Sequence, residues 1–223
     1  MAWWETFFDA TYRRLWAART GEEQTRADVE GIERMLVAHG LEPPLRVLDL
    51  ACGDGRIACG LARRGHDVAG VDLAADQLAA AQVRAEAGGG EVAWFRADVR
   101  QPPPQLAELD AVVLWFSSFG YFDETADDLR VLEAARRVLR PGGLLLLDTQ
   151  HRDRVARAGL RRDWEQVGEE TLLRELSFDP ARGRVTERVT IVRPDAPPEE
   201  RSFSVRVYTA TELVALAPAA GLV

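Results

Sequence analysis

The chain contains no lysine and no asparagine, and all 28 of its basic residues are arginine. A Schiff-base lysine, a phosphate-loop lysine and a kinase-type lysine are therefore excluded. The missing asparagine, beside abundant alanine, arginine and glycine, reflects a GC-rich codon bias and carries no functional meaning. Cysteine is nearly absent. Cys52 and Cys59 have no paired spacing, which supports neither a disulfide framework nor a zinc cluster. His39, His66 and His151 lie far apart, so no histidine-rich metal site is expected. Positive charge is in deficit, 28 basic against 36 acidic residues for a net charge of -8. That balance lacks the basic face that nucleic acid or an anionic membrane requires. No apolar run approaches the ~18 residues of a membrane span. Met1 to Arg14, with Glu5 and Asp9 among aromatics, has no secretory pattern. A soluble, reduced, cytoplasmic protein is expected, without nucleic-acid or membrane partners. A homo-oligomer is compatible with this composition but not legible in it.

What is present suffices for one core: 223 residues, 47% of them apolar. Trp4, Phe7, Phe8, Tyr12, Leu15 and Trp16 fall on one helical face. Thr25 and Asp28 read as a capping pair opening a second helix with the face Val29, Ile32, Met35 and Leu36. Gly40 and Pro43-Pro44 close it. Strand and helix signals then alternate. Strands are expected at Arg46–Leu50, Asp67–Val71, Glu91–Arg96, Asp110–Phe116 and Leu144–Asp148. The intervening helices include Ala75–Ala87 and Asp123–Leu139. Apolar strands alternating with helices give a doubly wound, mostly parallel α/β sheet. From Thr171 the pattern becomes antiparallel: Thr171–Phe178, Arg184–Val192 and Ser202–Tyr208 are expected strands, before a last helix from Thr211. The expected organisation is a helical lid over 1–40, a Rossmann-like core over 45–150, a three-stranded antiparallel insertion over 170–208 and a final helix over 211–223. The arginines at 152, 154, 157, 161 and 162, beside Asp153 and Asp163, read as a solvated, ion-paired face.

The informative stretch is Val47-Leu48-Asp49-Leu50-Ala51-Cys52-Gly53-Asp54-Gly55-Arg56. A strand ends in an acid, and Gly53 and Gly55 let the backbone pass close to a ligand before a helix begins. The second strand ends in Gly70-Val71-Asp72, where a carboxylate is placed to accept both hydroxyls of a ribose. The third is followed by Asp98-Val99, an acid and an apolar side chain suited to the edge and face of an adenine. Together these describe an adenosine site at the carboxyl edge of a sheet. Gly53-x-Gly55-x-x-Ala58 also fits the dinucleotide fingerprint, so a nicotinamide oxidoreductase is a rival. Asp49, however, would repel a pyrophosphate and attract an ammonium group, which favours an adenosine that bears an amino acid.

These motifs resemble the class I S-adenosylmethionine (SAM)-dependent methyltransferases, specifically their small-molecule branch. The resemblance extends over residues 1–223. It is most specific at Val47–Arg56, Gly70–Asp72, Asp98 and Leu139-Arg140-Pro141-Gly142-Gly143. It implies that the Asp49–Gly55 loop, with Ala51, Gly53 and Gly55, wraps the methionine part of SAM. It further implies that Asp72 holds the ribose, that Asp98 meets the adenine amino group, that Leu73 and Val99 sandwich the ring, and that Trp115-Phe116 passes the sulfonium. Nucleobase and protein-amide members carry an Asn or Asp, two prolines and an aromatic after the fourth strand. This chain has Phe116-Ser117-Ser118-Phe119-Gly120-Tyr121 instead, which favours a small-molecule acceptor.

Tyr12 and Trp16 are expected aromatic walls of the acceptor pocket, although such a stripe also serves as plain core packing. His151 and Tyr121 are the candidates for a catalytic group near the transferred methyl, with surface and structural roles as the alternatives. Cys52 reads as a small loop residue beside the cofactor. Two further readings stay open: a SAM-binding module without turnover, and the nicotinamide oxidoreductase. The resemblance also implies seven strands in the main sheet. The sequence ends at Ala220-Gly221-Leu222-Val223, where a sixth would start, so strands six and seven are expected to be missing and Leu144–Asp148 to be a bare apolar edge.

Overall fold

The computed structural model describes residues 2–16 and 20–223; Met1 and residues 17–19 of the expected lid lie outside them. Five strands form a parallel sheet in the order β3-β2-β1-β4-β5: β1 (Arg46–Leu50), β2 (Asp67–Asp72), β3 (Val92–Arg96), β4 (Leu109–Leu114) and β5 (Leu139–Leu147). The chain steps outward from β1 to β3 and then returns to place β4 on the other side of β1. That reversal opens a crevice at the carboxyl ends of β1 and β4. Val47, Leu48 and Leu50 are wholly buried in β1, each worth ~1.5–3 kcal/mol of apolar burial. The sheet has a core on each face. One joins Leu48, Leu50 and Val71 to Val131, Leu132 and Ala135 of α5 (Thr125–Val138). The other joins Val47 and Val113 to α2 (Glu22–Ala38) and α3 (Arg56–Ala62).

The N-terminal region departs from the expected continuous helix. Trp3–Glu5 makes one tight turn, and α1 (Ala10–Trp16) begins only at Ala10. Asp9 is the reason: its carboxylate accepts the Tyr12 N–H (2.9 Å), capping a new helix where the old one would have continued. The second helix starts at Glu22 after Gly21, earlier than the Thr25–Asp28 pair suggests, with Glu22 and Glu23 in its first turn favouring its positive end. Thr25 lies inside it, its hydroxyl donating back to the Thr20 carbonyl (3.4 Å). The helix expected over 75–87 ends as α4 (Ala75–Arg84), and a wider turn over Ala85–Gly89 follows.

The second sheet has four strands where three are expected, in the order β6-β7-β8-β9: β6 (Arg161–Val167), β7 (Glu170–Asp179), β8 (Arg184–Arg193) and β9 (Ala196–Arg206). Strand β6 escapes a hydrophobicity reading because it is an edge strand with almost no apolar face, and its arginines satisfy themselves across the surface. Arg161 pairs with Asp163 (2.5 Å) and Arg162 with Glu175 (2.8 Å). The inner face of this sheet does not pack on the main core. Leu172, Val189 and Ile191 instead bury Phe7, Leu15 and Trp16 of the N-terminal region. The N-terminal segment is thus clamped by the antiparallel sheet. Among the described residues, β5 is laddered to β4 alone, and its regular part begins at Leu144 after a bulge over Arg140–Gly143. No described strand beyond residue 170 pairs with it, as the open-edge expectation requires. α6 (Arg152–Ala158) links the two sheets, and α7 (Ala210–Leu216) closes the fold with a Thr209–Glu212 capping box. No helix among the described residues is long and apolar enough to cross a membrane.

Candidate functional site

A cleft with about 1210 Å³ of empty space, partly open to solvent, lies over the crevice at the carboxyl ends of β1 and β4. Asp49, Ala51 and Gly53 reach it from the first strand and its loop, Asp72 and Leu73 from the second strand, and Asp98 and Val99 from beyond the third. Trp115, Phe116 and Tyr121 enter after β4, and Tyr12 and Trp16 close it from α1. Two singled-out residues are elsewhere. Gly55 does not line the cleft; a Cβ there would stand 2.6 Å from the Trp94 ring and 2.8 Å from the Ala81 side chain, so this glycine (φ +74°) lets α3 seat on its neighbours. His151 lines neither this cleft nor the cavity beside it, and its ring accepts the Asp153 N–H (3.2 Å) as the cap of α6.

The acids of the cleft are held ready by backbone donors. Asp72 accepts the Gly53 N–H through one carboxylate oxygen and the Ala74 N–H through the other, both at 2.8 Å. Each oxygen keeps a lone pair, which is what a cis-diol needs. Burial pushes its carboxyl above the usual range despite the Ala74, Gly53 and Leu73 amides. Asp49 is only 2% exposed and accepts the Ala58 N–H (3.0 Å) from the first turn of α3. Burial, reinforced by Asp72 and Asp54, pushes it up to about 7 against the pull of the Ala58 amide and Arg56. Near pH 7 it is therefore only partly ionised when alone, and a cation settling beside it draws it to the charged form.

Asp98 has a partner the sequence did not suggest. Arg100 grips both its oxygens, with Nη2–Oδ2 at 2.6 Å, and also reaches Asp127 (3.1 Å) while lying over the Phe122 ring (4.2 Å). Burial raises the Asp98 carboxyl, but the Arg100 hydrogen bonds outweigh it and hold the acid below its ordinary value. An adenine amino group would therefore share this carboxylate with Arg100. Arg13, Arg56 and Gln77 also line the cleft and were not singled out. Arg56 follows Gly55 directly, and that adjacency was the available signal. Its guanidinium pairs with Asp28 of α2 (2.6 Å) and lies 5.2 Å from the Phe116 ring centroid. Tyr121 is half-buried, is hydrogen-bonded with Ser118 and has its phenol pushed up, first by desolvation, so it stays protonated. Phe116 and Ser117 are consecutive left-handed non-glycine residues (φ +61° and +60°). Asp148 holds them there, its carboxylate accepting the Phe116 N–H (2.8 Å) and its carbonyl the Ser117 N–H (3.2 Å).

Residues 47–143 match the family model described as a methyltransferase domain. The chain is 28% identical over 177 residues to "Putative methyltransferase YqeM" of Bacillus subtilis (strain 168), covering 73% of this chain and 69% of that protein. It is 42% identical over 106 residues to the demethylmenaquinone methyltransferase of Thermus thermophilus, a match spanning 47% of this chain and 46% of that protein. Its fold is shared with an S-adenosylmethionine-dependent methyltransferase from Clostridium acetobutylicum ATCC 824, with TM-score 0.78 and 18% identity over 94% of this chain and 84% of that one.

Proposed function

The chain belongs to the class I SAM-dependent methyltransferases, and on that premise we propose that it methylates a small-molecule acceptor held between its N-terminal helices and its antiparallel sheet. The observation that carries this reading is the Asp49–Gly53–Asp72 arrangement. A buried acid stands beside a glycine whose added Cβ would meet nothing within 4 Å, and a second acid is oriented by that glycine's own amide. This set fits an adenosine with an amino-acid tail. Asp49 takes the ammonium, Asp72 the two ribose hydroxyls, and Leu73 and Val99 the faces of the adenine, with Asp98 at its edge. Gly53 and Ala51 leave room for the chain between them. Arg13 and Arg56 suit the α-carboxylate. When bound, SAM supplies an activated methyl group with its own leaving group.

The protein's contribution is then alignment and dryness, and no strong base is required. Trp115 and Phe116 border the sulfonium side, while Tyr12 and Trp16 shut out water. Tyr121, protonated, serves as a wall and hydrogen-bond donor. The rival dinucleotide reading is disfavoured by the same atoms. Asp49 occupies an amide of α3's first turn and puts negative charge where a pyrophosphate would sit. The name of the Thermus relative, a quinone-precursor methyltransferase, agrees with a small-molecule acceptor. Two unpaired buried thiols, Cys52 and Cys59, support a reducing cytoplasmic setting.

Calorimetric titration with SAM and S-adenosylhomocysteine tests the cofactor. Both should bind, and reduced nicotinamide should not. Asp72→Ala removes charge-assisted hydrogen bonds of ~1.5–3 kcal/mol, so affinity should fall at least tenfold while the circular dichroism stays native. An unchanged dissociation constant would place the ribose elsewhere. An acceptor screen with SAM, read by the mass gain of one methylene, then separates an enzyme from a binder.

A further inference from the structure

A second cavity, partly open to solvent and with about 780 Å³ of empty space, adjoins the first and shares with it Phe8, Tyr12, Trp16, Phe116 and Tyr121. We propose that this cavity is the acceptor site and that it selects a neutral molecule carrying a flat, unsaturated ring. The assignment rests on the reading of the first cavity as the SAM site. The two spaces border each other along those rings and the Phe116–Ser117 turn that Asp148 pins, so a molecule in one can touch a molecule in the other there.

The class follows from what lines the space. Its walls are ring faces and edges: Tyr12 stacks on Trp16 (4.9 Å, 22° between planes), Phe8 on Tyr121 (5.7 Å, 19°), and Trp3 and Phe203 lie beyond them. Such surfaces reward a planar π-system over a puckered saturated one of equal size. Among the described residues no arginine lines this cavity, whereas Arg13 and Arg56 line the first. Its one carboxylate, Glu187, is gripped by Arg174 (Nε–Oε1 2.7 Å). A phosphorylated or carboxylated acceptor would find no arginine among the described lining residues, and Arg174 is already engaged by Glu187, so its desolvation would go uncompensated there. The neutral polar groups collect at one end. Ser117, Thr149 and Gln150 follow the carboxyl ends of β4 and β5, the same sheet edge that carries the cofactor residues. A hydroxyl or amine on the ring, hydrogen-bonded there, points at the first cavity, while the ring lies back against Phe203, Val205 and Val207.

The test uses the full chain saturated with S-adenosylhomocysteine and three probes of one skeleton: 2-naphthol, 2-naphthyl phosphate and decahydro-2-naphthol. Calorimetry should show 2-naphthol binding at least tenfold more tightly than either of the others. Gln150→Trp, a substitution at an exposed position, fills the polar end and should cost 2-naphthol at least tenfold while S-adenosylhomocysteine affinity stays within twofold. Phe203→Ala removes a ring from the far wall and should narrow the preference for 2-naphthol over its saturated analogue. Binding of the phosphate as tight as that of the naphthol, no binding of the naphthol, or indifference to Gln150→Trp overturns the assignment. Loss of S-adenosylhomocysteine binding by the unaltered protein would instead strike the cofactor reading beneath it.

Discussion

Asp49 shows how one buried side chain ties stability to binding. Its carboxyl is pushed up to about 7 from an ordinary value of 3.8. The unfolded chain ionises near pH 4 and the folded one holds its proton to about 7. Between those values the unfolded state gains stability, so this residue costs the fold progressively more as pH rises from 4 to 7 and a constant amount above. Asp49→Asn can still accept the Ala58 N–H and removes that cost. The variant should melt above the parent at pH 8, and the difference should vanish near pH 4, as thermal denaturation at both values will show. Binding moves the other way. Only the ionised form attracts an ammonium, so S-adenosylhomocysteine affinity should weaken as pH falls through 7 in the parent, and should be weak and flat over that range in the variant. Gly70 makes a steric case at the same scale. A Cβ there would stand 2.4 Å from the Trp94 ring. Gly70→Ala should cost ~1–3 kcal/mol by overpacking, a fall in melting temperature of several degrees.

Among the elements, α1 is tied to the antiparallel sheet by two ion pairs. Asp9 caps it and also pairs with Arg201 of β9 (2.8 Å), while Arg14 pairs with Glu170 of β7. These contacts join the N-terminal segment to the antiparallel sheet across nearly the whole chain. Asp9→Ala loses the cap, worth ~0.5–2 kcal/mol, and the Arg201 pair together. Hydrogen exchange over residues 10–16 should quicken well before that of β1, and S-adenosylhomocysteine should dissociate faster. Equal protection in both proteins would mean that the aromatic packing of Phe7, Leu15 and Trp16 alone holds the helix down.

Over the whole molecule, the two sheets meet through a buried polar junction. Tyr208, just past β9, donates to Asp128 of α5 (2.6 Å), and Arg184 of β8 donates to the Phe122 carbonyl (2.6 Å) and the Tyr121 carbonyl (3.2 Å). Burial pushes Asp128 up to about 6 against the pull of Tyr208, Arg206 and Arg184. Tyr208→Phe strips the hydroxyl from a wholly buried acid, at ~1–3 kcal/mol. Denaturant unfolding should show the midpoint falling, with the deficit larger at pH 8 than at pH 5, where Asp128 can carry its own proton. A deficit independent of pH would show that Asp128 does not depend on this hydroxyl for its charge.

The parallel core and the sheet edge that carries the candidate site were legible in the sequence because both are local. Strand identity follows from runs such as Val47–Leu50, and the site follows from acids and glycines placed at strand ends, which chain order alone brings to one edge. The break within the N-terminal helical segment, the extra strand and the second cavity were not legible. Asp9 caps α1 locally, but its second bond, to Arg201 192 residues away, is a contact that no spacing in the sequence shows. Strand β6 has no apolar alternation because it needs none at an edge, and Arg100 claims Asp98 through a side-chain orientation that no spacing encodes. Whether Tyr12 and Trp16 pack or line a pocket had no sequence answer, since they do both. Trp16 is buried on the antiparallel sheet and also faces the cleft, and that outcome is set by where two sheets come to rest against one short helix.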